Sequence, residues 1–261
     1  MATPNPLAGL PHGAVFGHRG NSAHAPENTL PSFEAAIALG VDGLEYDVRL
    51  TRDGVAVVFH DATVDRTTNR TGPLAALSWA EVQQLDAGYR FTPDEGRTFP
   101  FRDRGIRVSR LADVLDAFPS HPVILEVKEP TASAEAMRVV LAGHAQARVT
   151  VGAFRHETLV PFDGGPIART ASTREVTRMY LPVLLGRRYT RLPFQSMSLP
   201  PAHHHIPVPL GRLSHAVAPA GVPVCAWTIN DPAQAVRLWA SGVRGVLSDD
   251  PGPMIRVRPP R

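Results

Sequence analysis

The stretch Gly43-Leu44-Glu45-Tyr46-Asp47-Val48-Arg49-Leu50-Thr51-Arg52-Asp53-Gly54-Val55-Ala56-Val57-Val58-Phe59-His60-Asp61 decides how this chain is read. Gly43 to Val48 has the short, apolar, β-branched character of a buried strand, and Glu45 and Asp47, two apart, point to one face of it. Val55 to His60 is a second strand-like run, separated from the first only by Thr51 to Gly54. Parallel neighbours need a crossover of about a dozen or more residues, so this link predicts a hairpin with Asp53-Gly54 as its two-residue turn. In that register Arg52 opposes Val55, and His60 falls opposite Asp47. Local geometry alone then sets a histidine beside two carboxylates.

Working outward, similar apolar runs recur at Ala14 to Gly17, Val123 to Val127, Val149 to Phe154, Ile167 to Ala171, Gln195 to Leu199, Val224 to Ile229 and Gly245 to Ser248. With Gly43 to Val48 they make eight strand candidates. Helical patterns lie between most of them: Thr29 to Leu39, Ser109 to Phe118, Ser133 to His144, His156 to Phe162, Leu210 to Pro219 and Pro232 to Ala240. Ser172 to Phe194 reads only partly as helix, because Pro182 and Pro193 interrupt it. An eight-strand series with intervening helices predicts an α/β fold of the TIM (β/α)8 barrel type, with an open doubly wound sheet as the second choice. Residues 62–106 break the rhythm. Two helical turns near Ser78 to Leu85 give way to Gly-, Pro-, Arg- and Asp-rich sequence, so this stretch is expected to be a small inserted subdomain after His60-Asp61 in an otherwise single-domain chain, 1–261. The end beyond Pro251 is read as a frayed tail.

The 261 residues match the roughly 250 of one such barrel. A hydrophobic fraction of 43% with 20% charged residues supports a packed core and excludes a disordered chain. The net charge of +3 comes from scattered arginines rather than a basic stripe, which fits a small anionic substrate and calls for no nucleic-acid partner. A single cysteine, Cys225, rules out an intrachain disulfide, and a strand position predicts a small buried apolar side chain there. Met1 to Pro11 has neither the basic nor the apolar region of a secretion signal, and runs of 18 apolar residues are absent. The expectation is a cytoplasmic protein without a stable membrane span; no feature identifies an oligomeric state.

Glu45, Asp47 and Glu126 would project into a barrel interior, where unpaired carboxylates are costly. One solution is a hard divalent ion such as Mg²⁺ or Ca²⁺; zinc accepts the same oxygens. The other is a structural ion pair, Glu126 with Lys128 or Glu45 with an arginine, and the spacing favours neither. His18 closes the first strand at its C-terminal end, where the active sites of such barrels lie, and joins His60 as an acid–base pair suited to neutral pH. Arg19 and Lys128 supply fixed positive charge for a phosphate, although Arg19 is equally suited to neutralising Glu27 or Glu45. Trp227 and Asn230 end another strand and offer a surface for an alcohol group, with core packing the plainer role for Trp227. Asp249 and Asp250 are read as loop caps, not metal ligands. His203, His204 and His205 would alternate faces on an extended strand and are not expected to converge on a metal.

In combination these residues resemble the glycerophosphodiester phosphodiesterases. The likeness rests on His18-Arg19-Gly20, Pro26-Glu27-Asn28-Thr29, Glu45-Tyr46-Asp47-Val48, Thr51-Arg52-Asp53-Gly54, His60-Asp61, Asp65-Arg66-Thr67-Thr68, Glu126-Val127-Lys128, Trp227-Thr228-Ile229-Asn230 and Asp249, in that order, over residues 13–254. The resemblance implies a barrel with a family-specific insertion, one divalent metal on Glu45, Asp47 and Glu126, and His18 and His60 as general acid and base. It also implies cleavage of a glycerophosphodiester to glycerol 3-phosphate and an alcohol, in some members through attack by the substrate's own glycerol hydroxyl. The stretch from Val151 to His205 matches only loosely: Gly152-Ala153-Phe154 stands where members more often carry a serine before the phenylalanine, and Ser248-Asp249-Asp250 replaces a more frequent Thr-Asp pair. These departures bear on substrate identity rather than on reaction class. The rival expectations are a lipid-cleaving enzyme of the lysophospholipase D or sphingomyelinase D kind, for which Leu181 to Leu185 is the one apolar rim candidate, and a non-catalytic barrel that binds phosphodiesters or a protein.

Overall fold

The apolar runs become strands in the order in which they occur. The computed structural model describes residues 3–260; Met1 and Ala2 of the N-terminal segment and Arg261 of the expected tail lie outside the described residues. The strands are β1 (Ala14–His18), β2 (Gly43–Leu50), β3 (Ala56–Val58), β4 (Val123–Val127), β5 (Val149–Gly152), β6 (Ala168–Arg169), β7 (Met197–Leu199), β8 (Ala202–His203), β9 (Ile206–Pro207), β10 (Val224–Ala226) and β11 (Gly245–Ser248). The helices are α1 (Leu30–Ala38), α2 (Trp79–Val82), α3 (Leu111–Ala117), α4 (Ser133–Ala142), α5 (His156–Leu159), α6 (Thr173–Leu184), α7 (Leu210–Val217), α8 (Pro232–Ala240) and α9 (Pro251–Val257).

Neighbouring strands run parallel in the order β6-β5-β4-β2-β1-β11-β10-β7. The two ends of this path meet at a parallel bridge between Thr170 and Ser196. Ala171 N–H donates to the Ser196 carbonyl at 2.9 Å and Gln195 N–H to that of Arg169 at 3.0 Å, so the sheet closes into a TIM barrel. Side-chain alternation then divides the core. Leu44, Tyr46 and Val48 of β2 face outward into the helix layer, where the Tyr46 ring lies 5.3 Å from that of Phe33 on α1. Ala14, Phe16, Ile124, Cys225 and Leu247 form a separate cluster with Leu7 and Leu10 of the N-terminal segment, which fills the lower interior. Gly43 leaves the space that the Phe16 ring occupies, since a Cβ there would come within 2.7 Å of Phe16 Cδ1. Cys225 is buried as expected, and burial pushes its thiol up to about 12.

Three expectations are corrected. β3 does pair antiparallel with β2, but Arg49 opposes Val57 and Leu50 opposes Ala56, one residue away from the predicted register. The connection is a three-residue loop: Thr51 N–H donates to the Val55 carbonyl and Gly54 N–H to that of Thr51, both at 3.0 Å, with Gly54 at φ +78°. That is a turn followed by a left-handed glycine bulge, which the Asp-Gly pair serves as well as a two-residue turn. Asp47 therefore faces Phe59, whose N–H donates to the Asp47 carbonyl at 3.0 Å, and His60 lies one residue beyond. The chain after Pro251 is helix α9, with Pro251 at the start of the helix and Met254 buried, not a frayed tail. Helix α6 runs for 12 residues through Pro182, a residue expected to interrupt it, and carries a capping box of Ser172 and Glu175.

Residues 62–106 pack on their own small core, in which Val57 and Phe59 meet Val64, Leu74, Val82, Leu85 and Ala87. His203 to His205 lie on the β8–β9 hairpin, with His204 and His205 at φ 46° and 66° in its two-residue turn. The three imidazoles are exposed.

Near the barrel's closing seam Arg169 is buried, with 1% of its surface exposed. Its guanidinium donates to both Glu175 oxygens at 2.9 Å and to Asp163 at 2.5 Å. Burial would raise the Glu175 pKa, but the bonds from Arg169 and from the Ser172 cap outweigh it and hold the carboxyl below its ordinary value of 4.5. Removing one partner of such a pair leaves a buried charge. Glu175→Ala is therefore expected to cost about 3 kcal/mol of unfolding free energy at pH 7. A depressed folded-state pKa stabilises above the unfolded value and is lost as pH falls through the folded one. The gap between wild type and variant in denaturant titrations should accordingly narrow below about pH 4.5.

Candidate active site

The C-terminal ends of the strands carry the polar residues of the barrel. Parallel registers set His18 of β1 beside Glu45 of β2, and Asp47 of β2 beside Glu126 of β4. Glu45, Asp47 and Glu126 each offer a carboxylate oxygen, and these oxygens lie within 4.8 Å of one another. Lys128, two residues past Glu126, places its Nζ 2.8 Å from Asp47 Oδ1 and 2.7 Å from Glu126 Oε1. The Glu126–Lys128 ion pair foreseen as an alternative is thus present within the carboxylate cluster. Glu45 faces the Arg19 backbone N–H at 3.1 Å rather than an arginine side chain.

The electrostatics of the three acids differ. Burial would raise the Asp47 pKa, but Lys128 and Arg19 hold it below its ordinary value, helped by Asn28 Nδ2, which donates to Asp47 Oδ2 at 2.8 Å. Glu45 has less compensation: burial first, and then the charge of Asp47, push it up to about 8. Three hard oxygen donors converging in this way, one of them a carboxyl whose charge burial disfavours, fit a divalent cation of the Mg²⁺ or Ca²⁺ type.

Both histidines are oriented by an aspartate. His18 Nδ1 lies 2.6 Å from Asp249 Oδ1, and its Nε2 lies 3.8 Å from Glu45 Oε2. Asp249 is in turn held by Ser22 Oγ and by Asn230 Nδ2, both at 2.9 Å. His60 Nδ1 lies 2.6 Å from Asp61 Oδ1, and Asp61 accepts from Arg66 Nε at 2.7 Å. Each bond commits Nδ1 and leaves Nε2 for chemistry. The two environments shift the rings in opposite directions. Burial would lower the His18 pKa, but Glu45 and the Asp249 bond overcome it and raise it. Burial dominates at His60 and, with Lys128, lowers it despite Asp47.

A cavity of about 430 Å³ opens over these groups, lined on one side by His18, Arg19, Glu45, His60, Glu126 and Lys128 and on the other by Trp227 and apolar side chains. Arg19, at φ 55°, spans Glu27 (3.1 Å) and Asp47 (3.3 Å) while lining this cavity. Trp227 packs edge-on to Phe154, ring centroids 5.5 Å apart. Asn230, grouped with Trp227 in the sequence, is committed to Asp249 and Ser248 instead. Asp249, at a position that in the sequence alone reads as a loop cap, and Asp61 are the partners that orient the two rings. The signal was available: Ser248 pairs with Gly17 when the last strand meets the first, so the next residue in each strand also meets.

Comparison with known proteins agrees with this geometry. The model of the glycerophosphoryl diester phosphodiesterase family matches residues 18–253. A glycerophosphodiester phosphodiesterase of Caldanaerobacter subterraneus subsp. tengcongensis is 30% identical over 250 residues, which cover 93% of this chain and 96% of that protein. An Oleispira antarctica phosphodiesterase, solved with the product sn-glycerol-3-phosphate, superposes with a TM-score of 0.76 at 27% identity, covering 95% of this chain and 96% of its own. The corresponding domain of a Mycobacterium tuberculosis protein shares the fold, with a TM-score of 0.80 at 20% identity over 93% and 98% of the two chains. Among the described residues no helix is long and apolar enough to cross a membrane.

The raised Glu45 pKa makes a measurable demand on any cation. Burial and the charge of Asp47 favour the protonated form of Glu45, and a ligating carboxylate must be ionised, so binding of Mg²⁺ or Ca²⁺ should release protons. Calorimetry in buffers of different ionisation enthalpy reads their number, and Glu45→Gln should bring it near zero while weakening binding. The chain belongs to the glycerophosphoryl diester phosphodiesterase family, a family of enzymes.

Proposed function

We propose that this chain hydrolyses glycerophosphodiesters to glycerol 3-phosphate and an alcohol. The observation that carries the reading is the convergence of two aspartate-oriented histidines and three carboxylates on one cavity. The family match and the product named in the Oleispira antarctica structure support it. Glu45, Asp47 and Glu126 would hold one divalent ion, Mg²⁺ or Ca²⁺, which when bound supplies charge neutralisation for the phosphoryl oxygens.

The chain's own residues do the rest. Arg19 and Lys128 bind the phosphodiester, Arg19 as a planar donor fork and Lys128 as a point charge. His60, whose pKa is lowered by burial, accepts the proton of the attacking hydroxyl at Nε2. His18, whose pKa is raised, donates a proton from Nε2 to the departing alkoxide. Asp61 and Asp249 fix the tautomers and the ring planes. Trp227 forms part of the surface against which the alcohol or glycerol group rests. Residues 62–106 belong to this reading as an inserted subdomain, whose Arg66 bridges Glu27 and Asp61 and so steadies His60.

The test is release of glycerol 3-phosphate from glycerophosphocholine and glycerophosphoethanolamine with Mg²⁺, Ca²⁺ or EDTA. Turnover should require a divalent ion, and His18→Ala and His60→Ala should each lower kcat by about 10²- to 10⁴-fold. No release with any ion would overturn the reading. The assignment of the two histidines has its own test in the pH profile. Asp249→Asn removes influences that raise the His18 pKa, so a proton-donating His18 moves the alkaline limb to lower pH. A shift of the acid limb instead would exchange the two roles.

A further inference from the structure

The net charge of +3 is unevenly distributed over the molecule. Residues 176–230 contain five arginines and no aspartate or glutamate, so this stretch carries +5 and the rest of the chain −2. Helix α6 and the loop that follows it expose Arg174, Arg178, Arg187, Arg188 and Arg191, and none of these makes an ion pair among the described residues. Elsewhere on the surface exposed arginines are paired, Arg52 with Glu81, Arg110 with Asp113 and Arg138 with Glu135.

Apolar side chains share the same face. At roughly 100° per residue, Arg174, Arg178, Leu181 and Leu185 fall on one outward stripe of α6, opposite the buried Met179 and Val183. Leu181 and Leu185 are 62% and 79% exposed, with Leu184 exposed beside them. The helix that presents them is tethered at both ends. The Ser172–Glu175 capping box anchors its start, Arg212 Nη1 donates to the Leu184 carbonyl at 3.1 Å, and the Tyr189 N–H donates to the Ala216 carbonyl at 2.8 Å.

Protruding leucines set among unpaired guanidiniums mark an interaction surface, and the charge selects its partner. A second copy of this chain would set like charges against one another. A nucleic acid would engage the arginines and leave the leucines in water. An anionic lipid surface answers both, because arginines meet its phosphates while leucines enter the boundary between headgroups and acyl chains.

Independently of what the cavity hydrolyses, we propose that the outer face of α6, with loop 186–191, docks this protein on an anionic bilayer. The contact is peripheral and reversible, with Leu181, Leu184 and Leu185 inserted and the arginines around them on lipid phosphates. Thr173, Thr177 and Tyr180, on the neighbouring stripe of the helix, line the cavity, so docking sets the cavity mouth beside the bilayer.

The experiment is co-sedimentation of the full chain with vesicles of phosphatidylcholine alone and of phosphatidylcholine containing about one third phosphatidylglycerol. Binding is expected to the anionic vesicles and should be lost between about 0.1 M and about 1 M salt, as the screening length falls from about 10 Å to about 3 Å. One arginine at such a surface is worth about fivefold in partition coefficient, so Arg187→Glu with Arg188→Glu should lower binding by at least about 20-fold. Leu185→Ser should lower it by about tenfold. Arg70→Glu with Arg97→Glu, the same change of net charge at exposed positions of residues 62–106, should leave it nearly unchanged. Release of glycerol 3-phosphate from glycerophosphocholine in vesicle-free buffer should be the same for every variant, so failure of docking is read separately from failure of hydrolysis. Absence of binding to anionic vesicles, equal binding to neutral ones, or equal loss in the two double variants overturns the docking face. A free chain that sediments as a dimer and is dissociated by Leu185→Ser assigns the leucines to a second copy and overturns it too.

Discussion

The constraint on which this structure turns is the burial of Glu45 and Asp47 at the mouth of a barrel. Two carboxylates side by side, with 3% and 1% of their surfaces exposed, demand compensation from whatever surrounds them. Asp47 obtains it from Lys128, Arg19 and Asn28. Much of the β1–α1 connection follows from this need. Arg19 and Asn28 both adopt positive φ, which few residues other than glycine do, and between them Gly20 at φ +90° sits where a Cβ would come within 2.6 Å of the Ser32 backbone. The segment is bent so that its side chains and one N–H reach the acids. Glu45 remains the undercompensated member, and that residual deficit makes the cluster receptive to a cation rather than merely acidic.

The same economy governs the histidines. Neither is free at Nδ1, and each aspartate that holds one is itself held: Asp249 by Ser22 and Asn230, Asp61 by Arg66. Both aspartates are drawn down to about 2 against the opposing effect of burial, Asp61 by Arg66 and then His60, Asp249 by His18 first, so neither loses its charge in the working range of the rings. Residues 62–106 contribute here through Arg66 alone, which ties Glu27 to Asp61 with three bonds of 2.7 Å.

The chemistry was legible in sequence because it lies on regular strands. Period-two spacing is enough to place Glu45 with Asp47 and Glu126 with Lys128, and a count of eight strands with helices between them is enough to expect closure. What escaped sits where local rules are degenerate. An Asp-Gly pair serves a two-residue turn and a three-residue loop with a bulge, and the difference is a full residue of register between β2 and β3. Pro182 interrupts a helix by propensity, yet α6 is anchored at its start by a capping box and by the Arg169–Glu175 pair and continues through it. Asp249 required a nonlocal step, since only closure of the barrel brings the last strand beside the first.

The division of labour around the barrel follows from the same geometry. β1, β2, β4, β11 and the turn after β3 supply the histidines, carboxylates and lysine of the candidate site, and these are tied to one another by short polar contacts. β5 to β10 supply small side chains such as Gly152, Ala153 and Ala171, which open space, and a rim of Phe154, Leu181 and Ile206, which is apolar and exposed. Apolar contact is non-directional, so this half is under weaker geometric constraint than the charged one. It is also the half in which the sequence, from Val151 to His205, departs most from its family resemblance. Charged groups fixed by strand register and a wall that is largely apolar thus occupy opposite sides of one cavity.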